Sequence, residues 1–298
     1  MTQIVGKKDQ AERLRQLVAN GRNSPGYIGK NARVITVASG KGGVGKTNFT
    51  VNLGIAIART GLQVGIIDAD LGLANIDIVL GLIPKYNLLH VLKGEKNLAE
   101  VVVLGPEGLQ IIPGGSGVME LADASPWQVE RFIRGFQELD ENLDLLLIDT
   151  GAGINKHVLT FLKASEETIV ITTPEPTAVT DAYGLIKMLA LSDPSAQIFI
   201  VVNMADSFGE GEQIFERLNV ACTRFLGVSP NLLGIILRDS LVTQAVREQV
   251  PFIIGHPHGK ASRCVAEIAG KLSSAPVSGD SGGLRAMFKK VISSMVGA

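Results

Sequence analysis

The stretch Ser39-Gly40-Lys41-Gly42-Gly43-Val44-Gly45-Lys46-Thr47 decides the fold, because it matches the phosphate-binding pattern G-x-x-x-x-G-K-[ST]. Its glycines let backbone N–H groups turn toward phosphate oxygens. In this pattern Lys46 contacts the β- and γ-phosphates, and the Thr47 hydroxyl ligates Mg²⁺. The pattern therefore predicts a nucleotide site built from Gly40, Lys41, Gly42, Gly43, Val44, Gly45, Lys46, Thr47 and Asn48.

The flanking sequence favours a phosphate loop over a chance glycine turn. Val34 to Ala38 is a short apolar run that predicts a strand, and Asn48 to Arg59 has apolar residues at helical spacing. The loop is therefore expected to lead into a helix N-terminus, whose dipole favours anions.

A second lysine, Lys41, follows the first glycine of the loop, although cradling phosphate needs only one. The run KGGVGKT resembles the deviant Walker A motif of the MinD/ParA/Get3-type ATPases. In that family the first lysine reaches across a dimer interface to the partner's nucleotide. The resemblance therefore implies an ATP-dependent homodimer, with Lys41 and Lys46 both catalytic. A solvated lysine without such a role is the alternative.

Length and composition indicate one large α/β domain with a sizeable core, since 46% of the 298 residues are hydrophobic and 19% are charged. The net charge of -1 gives no overall field that favours nucleic acid, so no nucleic-acid partner is expected. Two distant cysteines form no metal or disulfide pattern. The first thirty residues are polar and no apolar run is long enough to span a bilayer, so a cytoplasmic protein is expected.

Acidic residues end two of the predicted buried strands. Val64 to Ile67 leads into Asp68-Ala69-Asp70, and Leu145 to Ile148 leads into Asp149, which reads as a Walker B acid. Carboxylates at strand ends beside a phosphate loop suit the ligand crevice of an α/β sheet. The family resemblance implies that Asp70 is catalytic and activates the attacking water. With Thr47 it implies a Mg²⁺ site that includes Asp68 and Asp149. Helix capping would explain one aspartate of the DAD pair, but explains two less well.

Strands and helices alternate along the chain, which predicts a doubly wound, mostly parallel sheet with helices on both faces, the P-loop NTPase architecture of MinD-like proteins. The SSAPVSGDSGG run reads as a flexible linker. We therefore divide the chain into an N-terminal extension, an ATPase domain, the linker and a terminal helix, at residues 1–32, 33–272, 273–283 and 284–298.

A candidate site for the nucleotide base is Asn203-Met204-Ala205-Asp206, which has the N-x-x-D spacing that GTPases use for guanine. The lysine usual between the two residues is missing. The MinD-like family uses the asparagine at this strand end for adenine, so we expect Asn203 to bind the base of ATP, with GTP as the alternative.

The C-terminal run predicts a basic amphipathic helix behind a tether. Its apolar side recurs at helical spacing, and its other side is basic. We predict that this helix binds an anionic membrane surface through Leu284, Met287, Phe288, Lys289, Lys290, Val291 and Ile292. A helix docked on its own domain is the alternative.

The N-terminal run DQAERLRQLV and the run TTPEPTAVTDAYGLIK resemble the FlhG (FleN/YlxH) branch of flagellar-number regulators. In that branch the N-terminal motif stimulates FlhF, a signal-recognition-particle-type GTPase, and the ATP-bound dimer lies on the inner face of the cell membrane. The resemblance implies partner contacts by Asp9, Gln10, Arg13 and Leu14, and also suggests flagellar switch (C-ring) proteins as partners.

Three other functions stay open at this point. A division-site MinD normally starts almost directly at its first strand, which about thirty extra residues argue against. A ParA-type DNA segregator is disfavoured by the near-neutral charge and the amphipathic tail. A nucleotide-gated scaffold with negligible turnover is the third.

Overall fold

The computed structural model describes residues 31–70, 75–115, 120–121, 124–274 and 282–296. Within these residues the strands are β1 Arg33–Ser39, β2 Val64–Ala69, β3 Val103–Leu104, β4 Gln110–Pro113, β5 Leu145–Ala152, β6 Glu167–Thr172, β7 Gln197–Ala205 and β8 Asn231–Leu237. The α-helices are α1 Lys46–Ala58, α2 Ile76–Leu80, α3 Leu88–Lys93, α4 Leu98–Val101, α5 Pro126–Asn142, α6 Lys156–Ala164, α7 Pro176–Ser192, α8 Phe208–Leu226, α9 Ser240–Glu248, α10 Phe252–Gly255, α11 Lys260–Ser274 and α12 Gly283–Val296.

These strands form one sheet in the order β3-β4-β2-β5-β1-β6-β7-β8. Every pairing is parallel except that of β3 with β4. The predicted fold class, a doubly wound α/β sheet, is confirmed. Because these strands are parallel, their carboxyl ends meet at one edge of the sheet, where such sheets bind ligands.

Apolar side chains cover both faces of the sheet. Strand β1 has Ile35 and Val37 in one core cluster and Ala38 in another, which is the pattern of a central parallel strand. Helix α1 is buried along most of its length, so the phosphate loop that precedes it is held between two buried elements.

The region 82–108 contains two short capped helices. The Asn87 side chain accepts a hydrogen bond from Leu89 N at the start of α3, and the Asn97 side chain accepts one from Glu100 N at the start of α4. Asparagine is a strong N-cap residue, and this signal was present in the sequence.

The C-terminal helix α12 is docked on the domain. Five of its apolar side chains, Leu284, Met287, Phe288, Val291 and Ile292, are at most 3% exposed. The ring of Phe288 stacks on Phe136 at 4.0 Å and meets Phe132 edge-on at 5.5 Å. The structure has the alternative arrangement, a helix docked on its own domain, because α5 offers an aromatic seat. In this conformation Leu284, Met287, Phe288, Val291 and Ile292 are buried, whereas Lys289 is half-buried and Lys290 is exposed, and membrane binding by this helix stays a prediction.

The predicted boundaries shift slightly at the tail. Helix α11 continues to Ser274 and α12 begins at Gly283, while residues 275–281 lie outside the described part of the chain. Ala32, placed in the N-terminal extension, is buried in the same core cluster as α12. The predicted partner contacts Asp9, Gln10, Arg13 and Leu14 also lie outside the described residues.

Candidate nucleotide site

The phosphate loop joins β1 to α1 and depends on its glycines. Gly43 and Gly45 have φ of +80° and +86°, a region that side chains rarely adopt. A Cβ on Gly40 would lie 2.3 Å from the backbone carbonyl of Asp181 on α7, so only glycine allows this close approach. The loop therefore holds its shape through backbone requirements that the sequence satisfies.

The Asp149 carboxylate at the end of β5 gathers the polar side chains of α1. Lys46 Nζ donates to Asp149 Oδ1 at 2.9 Å, and Thr47 Oγ1 donates to Asp149 Oδ2 at 2.7 Å. Thr50 Oγ1 also donates to Asp149 Oδ1 at 2.9 Å. Lys46 and Asp149 are buried, which makes their charge pairing strong and its loss costly.

Asp68 at the end of β2 lies beside Asp149 in the strand register and organises the next turn. Its oxygens accept hydrogen bonds from the backbone N–H groups of Asp70 at 3.1 Å, Asn75 at 3.1 Å and Ile76 at 3.3 Å. Burial, together with the Asp149 carboxylate, raises the pKa of Asp68 to about 6. Asp68 therefore supports the loop as well as the region predicted for the metal.

These residues fit a magnesium ion. Among the described residues no group of three or more His, Cys, Asp or Glu side chains could hold a metal unaided. Mg²⁺ commonly binds through one or two carboxylates, waters and substrate phosphates. The Thr47 hydroxyl and the Asp149 carboxylate are the oxygen ligands that such a site would use, with Asp68 nearby.

Asp70 lines the same cavity as the loop, is half-buried, and lies near Gly151 of β5. A Cβ built on Gly151 would be 3.4 Å from Asp70 Oδ1. This position leaves the carboxylate on the cavity wall, where an aspartate that orients water is expected.

Lys41 does not point at the phosphate loop of its own chain. Its Nζ donates to Glu175 Oε1 at 2.6 Å and to Thr177 Oγ1 at 2.8 Å, at the start of α7. The hydrogen bond from Lys41 lowers the pKa of Glu175. Both side chains are exposed by more than a third, so the pair is screened and contributes little to stability.

Asn203 at the end of β7 braces the loop from the side opposite to Asp149. Its Nδ2 donates to Val44 O at 2.8 Å, and its Oδ1 accepts from Met204 N at 2.9 Å. One N–H and one lone pair remain, which match the donor and acceptor edge of adenine. Asp206 instead pairs with Arg238 Nε at 2.9 Å, and this argues against a guanine-reading role.

A cavity of about 720 Å³ contains most of these groups. It brings together the loop residues from Lys41 to Asn48 with Asp70 and Asn203, while Gly40, Asp68 and Asp149 lie behind its wall. Sequence reasoning missed Thr50, Glu175 and Thr177. Thr50 follows Thr47 by nearly one helical turn, which is a usable signal. The partners of Lys41 gave no local signal, since they lie more than 130 residues away.

None of the described helices has the length and apolar character needed to cross a bilayer. The predicted membrane contacts belong to α12 and do not line the cavity.

Comparison with known proteins finds a matching family and similar sequences. The family described as "ParA: NUBPL iron-transfer P-loop NTPase" matches residues 30–273. The "Antiactivator FleN" of Pseudomonas aeruginosa is 42% identical over 82% of this chain and 88% of its own length. The "Flagellum site-determining protein YlxH" of Helicobacter pylori is 35% identical over 95% of this chain and 98% of its own length.

A solved structure shares the fold. The septum site-determining protein MinD of Pyrococcus horikoshii, complexed with Mg-ADP, has a TM-score of 0.65 and 26% identity, and the match covers 81% of this chain and 96% of that one. The same architecture therefore holds a magnesium nucleotide in that protein.

Proposed function

Because this chain belongs to the ParA family of P-loop NTPases, we propose that it is a Mg²⁺-dependent ATPase with slow, regulatory turnover. The observation that carries the proposal is that Lys46 and Thr47, which line the cavity, both bind the buried Asp149 behind its wall. Bound Mg²⁺ would neutralise phosphate charge. The chain supplies loop amides for the phosphates, the Lys46 ammonium for the terminal phosphates, and Asp70 to orient the attacking water.

The test measures phosphate release from ATP with Mg²⁺, with EDTA, and for Asp70→Ala. Turnover that requires Mg²⁺ and is strongly slowed in Asp70→Ala, with ATP binding retained, supports the proposal. Equal turnover in the variant excludes Asp70 as the water-orienting group. Competition between ATP and GTP tests the assignment of Asn203, and a preference for GTP would overturn it.

The second part of the proposal is that ATP pairs two copies of the chain. Lys41 supports it, because its ammonium lies outside its own phosphate site on an exposed ion pair that is easily exchanged. In the dimer Lys41 would contact the partner's nucleotide. Hydrolysis would then separate the two copies.

The third part is biological: the protein regulates the number and placement of flagella. The support is similarity to FleN and YlxH along most of this chain, including nearly its whole length for YlxH. We propose that the N-terminal extension stimulates an FlhF-type GTPase through Asp9, Gln10, Arg13 and Leu14, with switch (C-ring) proteins as further partners. These four residues lie in residues 1–30, outside the described part of the chain.

Genetic complementation tests this role. In a host strain that lacks the gene, wild type should restore the normal number of flagella per cell, whereas Gln10→Ala/Arg13→Ala should not. The purified double variant should bind ATP normally but fail to raise GTP turnover by the GTPase. Full stimulation by the variant would exclude the assigned contacts.

The fourth part is a peripheral location on the inner face of the cell membrane. The sequence of α12 supports it, since one side is apolar and the other carries Arg285, Lys289 and Lys290. Membrane binding then requires α12 to leave its seat on α5. Two released helices in an ATP-bound dimer would bind far more strongly than one.

A further inference from the structure

A buried carboxylate of α5, beside the start of β1, joins three parts of the chain. Asp140, near the end of α5, is 6% exposed. Its Oδ1 accepts hydrogen bonds from Ala32 N and from Leu284 N, both at 3.1 Å. Its Oδ2 accepts one from Arg285 N at 3.3 Å. One side chain therefore binds the segment that leads into β1 and the first turn of α12.

Asp140 serves as the missing cap of α12. The first N–H groups of a helix have no partner within the helix, and a carboxylate near them is also favoured by the helix dipole. The residues before Leu284 are Gly282 and Gly283, which have no side chain to cap with, and the first turn contains no acid. The first turn of α12 is thus stabilised from a different helix.

The contact around Gly283 is tightly packed. Gly283 has φ of +64°, and a Cβ there would lie 2.5 Å from Asp140 Oδ2 and 3.0 Å from Asn31 Cβ. The burial of Asp140 is also sufficient to raise the pKa of its carboxyl, against the hydrogen bonds that lower it. A buried carboxylate that loses its donors is costly, so the donors tend to stay or leave together.

The segment that leads into β1 also contacts the end of α11, on the other side of the linker. Arg33, the first residue of β1, donates from Nη1 to Leu272 O at 2.9 Å, near the end of α11. Arg33 is itself fixed by two hydrogen bonds to Glu167, at 2.7 Å and 2.6 Å. Residues 31–33 therefore contact the chain on both sides of residues 275–281.

We propose that Asp140 is a shared latch, through which the position of the backbone at Ala32 and the docking of α12 are coupled. Displacing Ala32 N–H weakens the hold on α12, and releasing α12 loosens Ala32. Its biological meaning rests on the proposed function, in which the N-terminal extension binds a partner and α12 binds membrane. A partner that pulls on the extension would then promote release of the membrane helix.

Hydrogen exchange of the full-length protein, without nucleotide or lipid, tests the latch directly. Asp140→Asn keeps the size but replaces one acceptor with an N–H₂ group, so the amides of α12 should exchange at least about tenfold faster. Exposed Glu141, the next residue of α5, provides the control Glu141→Gln, which should exchange as wild type does. Unchanged exchange of α12 in Asp140→Asn would refute the latch.

The coupling has its own matched pair. Ala32→Pro removes the N–H that Asp140 accepts, whereas Ala32→Gly keeps it. Only the proline variant should speed exchange of α12, and combining it with Asp140→Asn should add little more. Equal effects of proline and glycine would overturn the coupling.

A reciprocal measurement avoids any substitution near β1. Phe288→Glu should undock α12 from its aromatic seat, and the latch then requires faster exchange at the Ala32 amide. If that amide stays protected while α12 exchanges quickly, the two sites are independent and the coupling is wrong. Sedimentation with liposomes of anionic lipid tests the membrane role separately, so a failure there leaves the exchange result standing.

Discussion

At the scale of single residues, Asp68 makes the stability of the nucleotide-free protein depend on pH. Its pKa is raised from 3.8 to about 6, so the folded state holds a proton that the unfolded state releases. Stability attributable to Asp68 therefore rises as pH falls through about 6, and the gain is complete near pH 4. Urea unfolding should show wild type gaining about 1–2 kcal/mol over Asp68→Asn between pH 7.5 and 5. If the stabilities of wild type and Asp68→Asn change in parallel with pH, the prediction is contradicted. Asp77→Asn is the control variant.

Lys46 is the residue whose loss should be most severe. Lys46→Ala removes the ammonium that contacts the phosphates and leaves Asp149 buried without its charge partner. We expect ATP affinity to fall at least about a hundredfold and stability to fall by about 2–4 kcal/mol. Calorimetric titration and urea unfolding measure the two effects, with exposed Lys163→Ala as control. Undiminished ATP binding would rule out this loop as the site.

At the scale of elements, the docking of α12 on α5 decides whether its apolar face is available to bind a membrane. Phe288→Glu puts a charge between Phe132 and Phe136, so α12 should undock with a loss of about 3–5 kcal/mol of packing. The same charge interrupts the apolar face, so sedimentation with anionic liposomes should be lost while ATP binding stays. Exposed Ser293→Glu should leave both docking and sedimentation unchanged. Wild-type sedimentation of Phe288→Glu would show that this face does not meet lipid.

Some elements could be predicted from the sequence and the docking of α12 could not. The phosphate loop, β1 and the acids at the ends of β2 and β5 were foreseen, because each rests on a local pattern and on the geometry of parallel strands. The seat of α12 was not, because an amphipathic pattern is the same for a helix that binds lipid and one that packs on a domain. The deciding residues, Phe132 and Phe136, lie about 150 positions earlier in the chain.

At the scale of the whole molecule, Lys41 should control assembly. Asp70→Ala should bind ATP, hydrolyse it slowly and accumulate as a dimer. Lys41→Ala should bind nucleotide but stay monomeric, because its ammonium can no longer reach a second copy. Light scattering with and without ATP measures both masses, and exposed Lys85→Ala should behave as wild type. A mass that ignores ATP in every variant would exclude the nucleotide-dependent dimer.

The late position of α12 in the chain also has a consequence during synthesis. A ribosome delivers the chain from its N-terminal end, so β1 and α5 emerge long before the helix that covers their shared side. Until α12 arrives, we expect Phe132 and Phe136 to lack the cover that Phe288 provides. An exposed aromatic surface on a nascent chain favours chaperone binding or aggregation. A chain that stops before Leu284 would retain this exposure permanently.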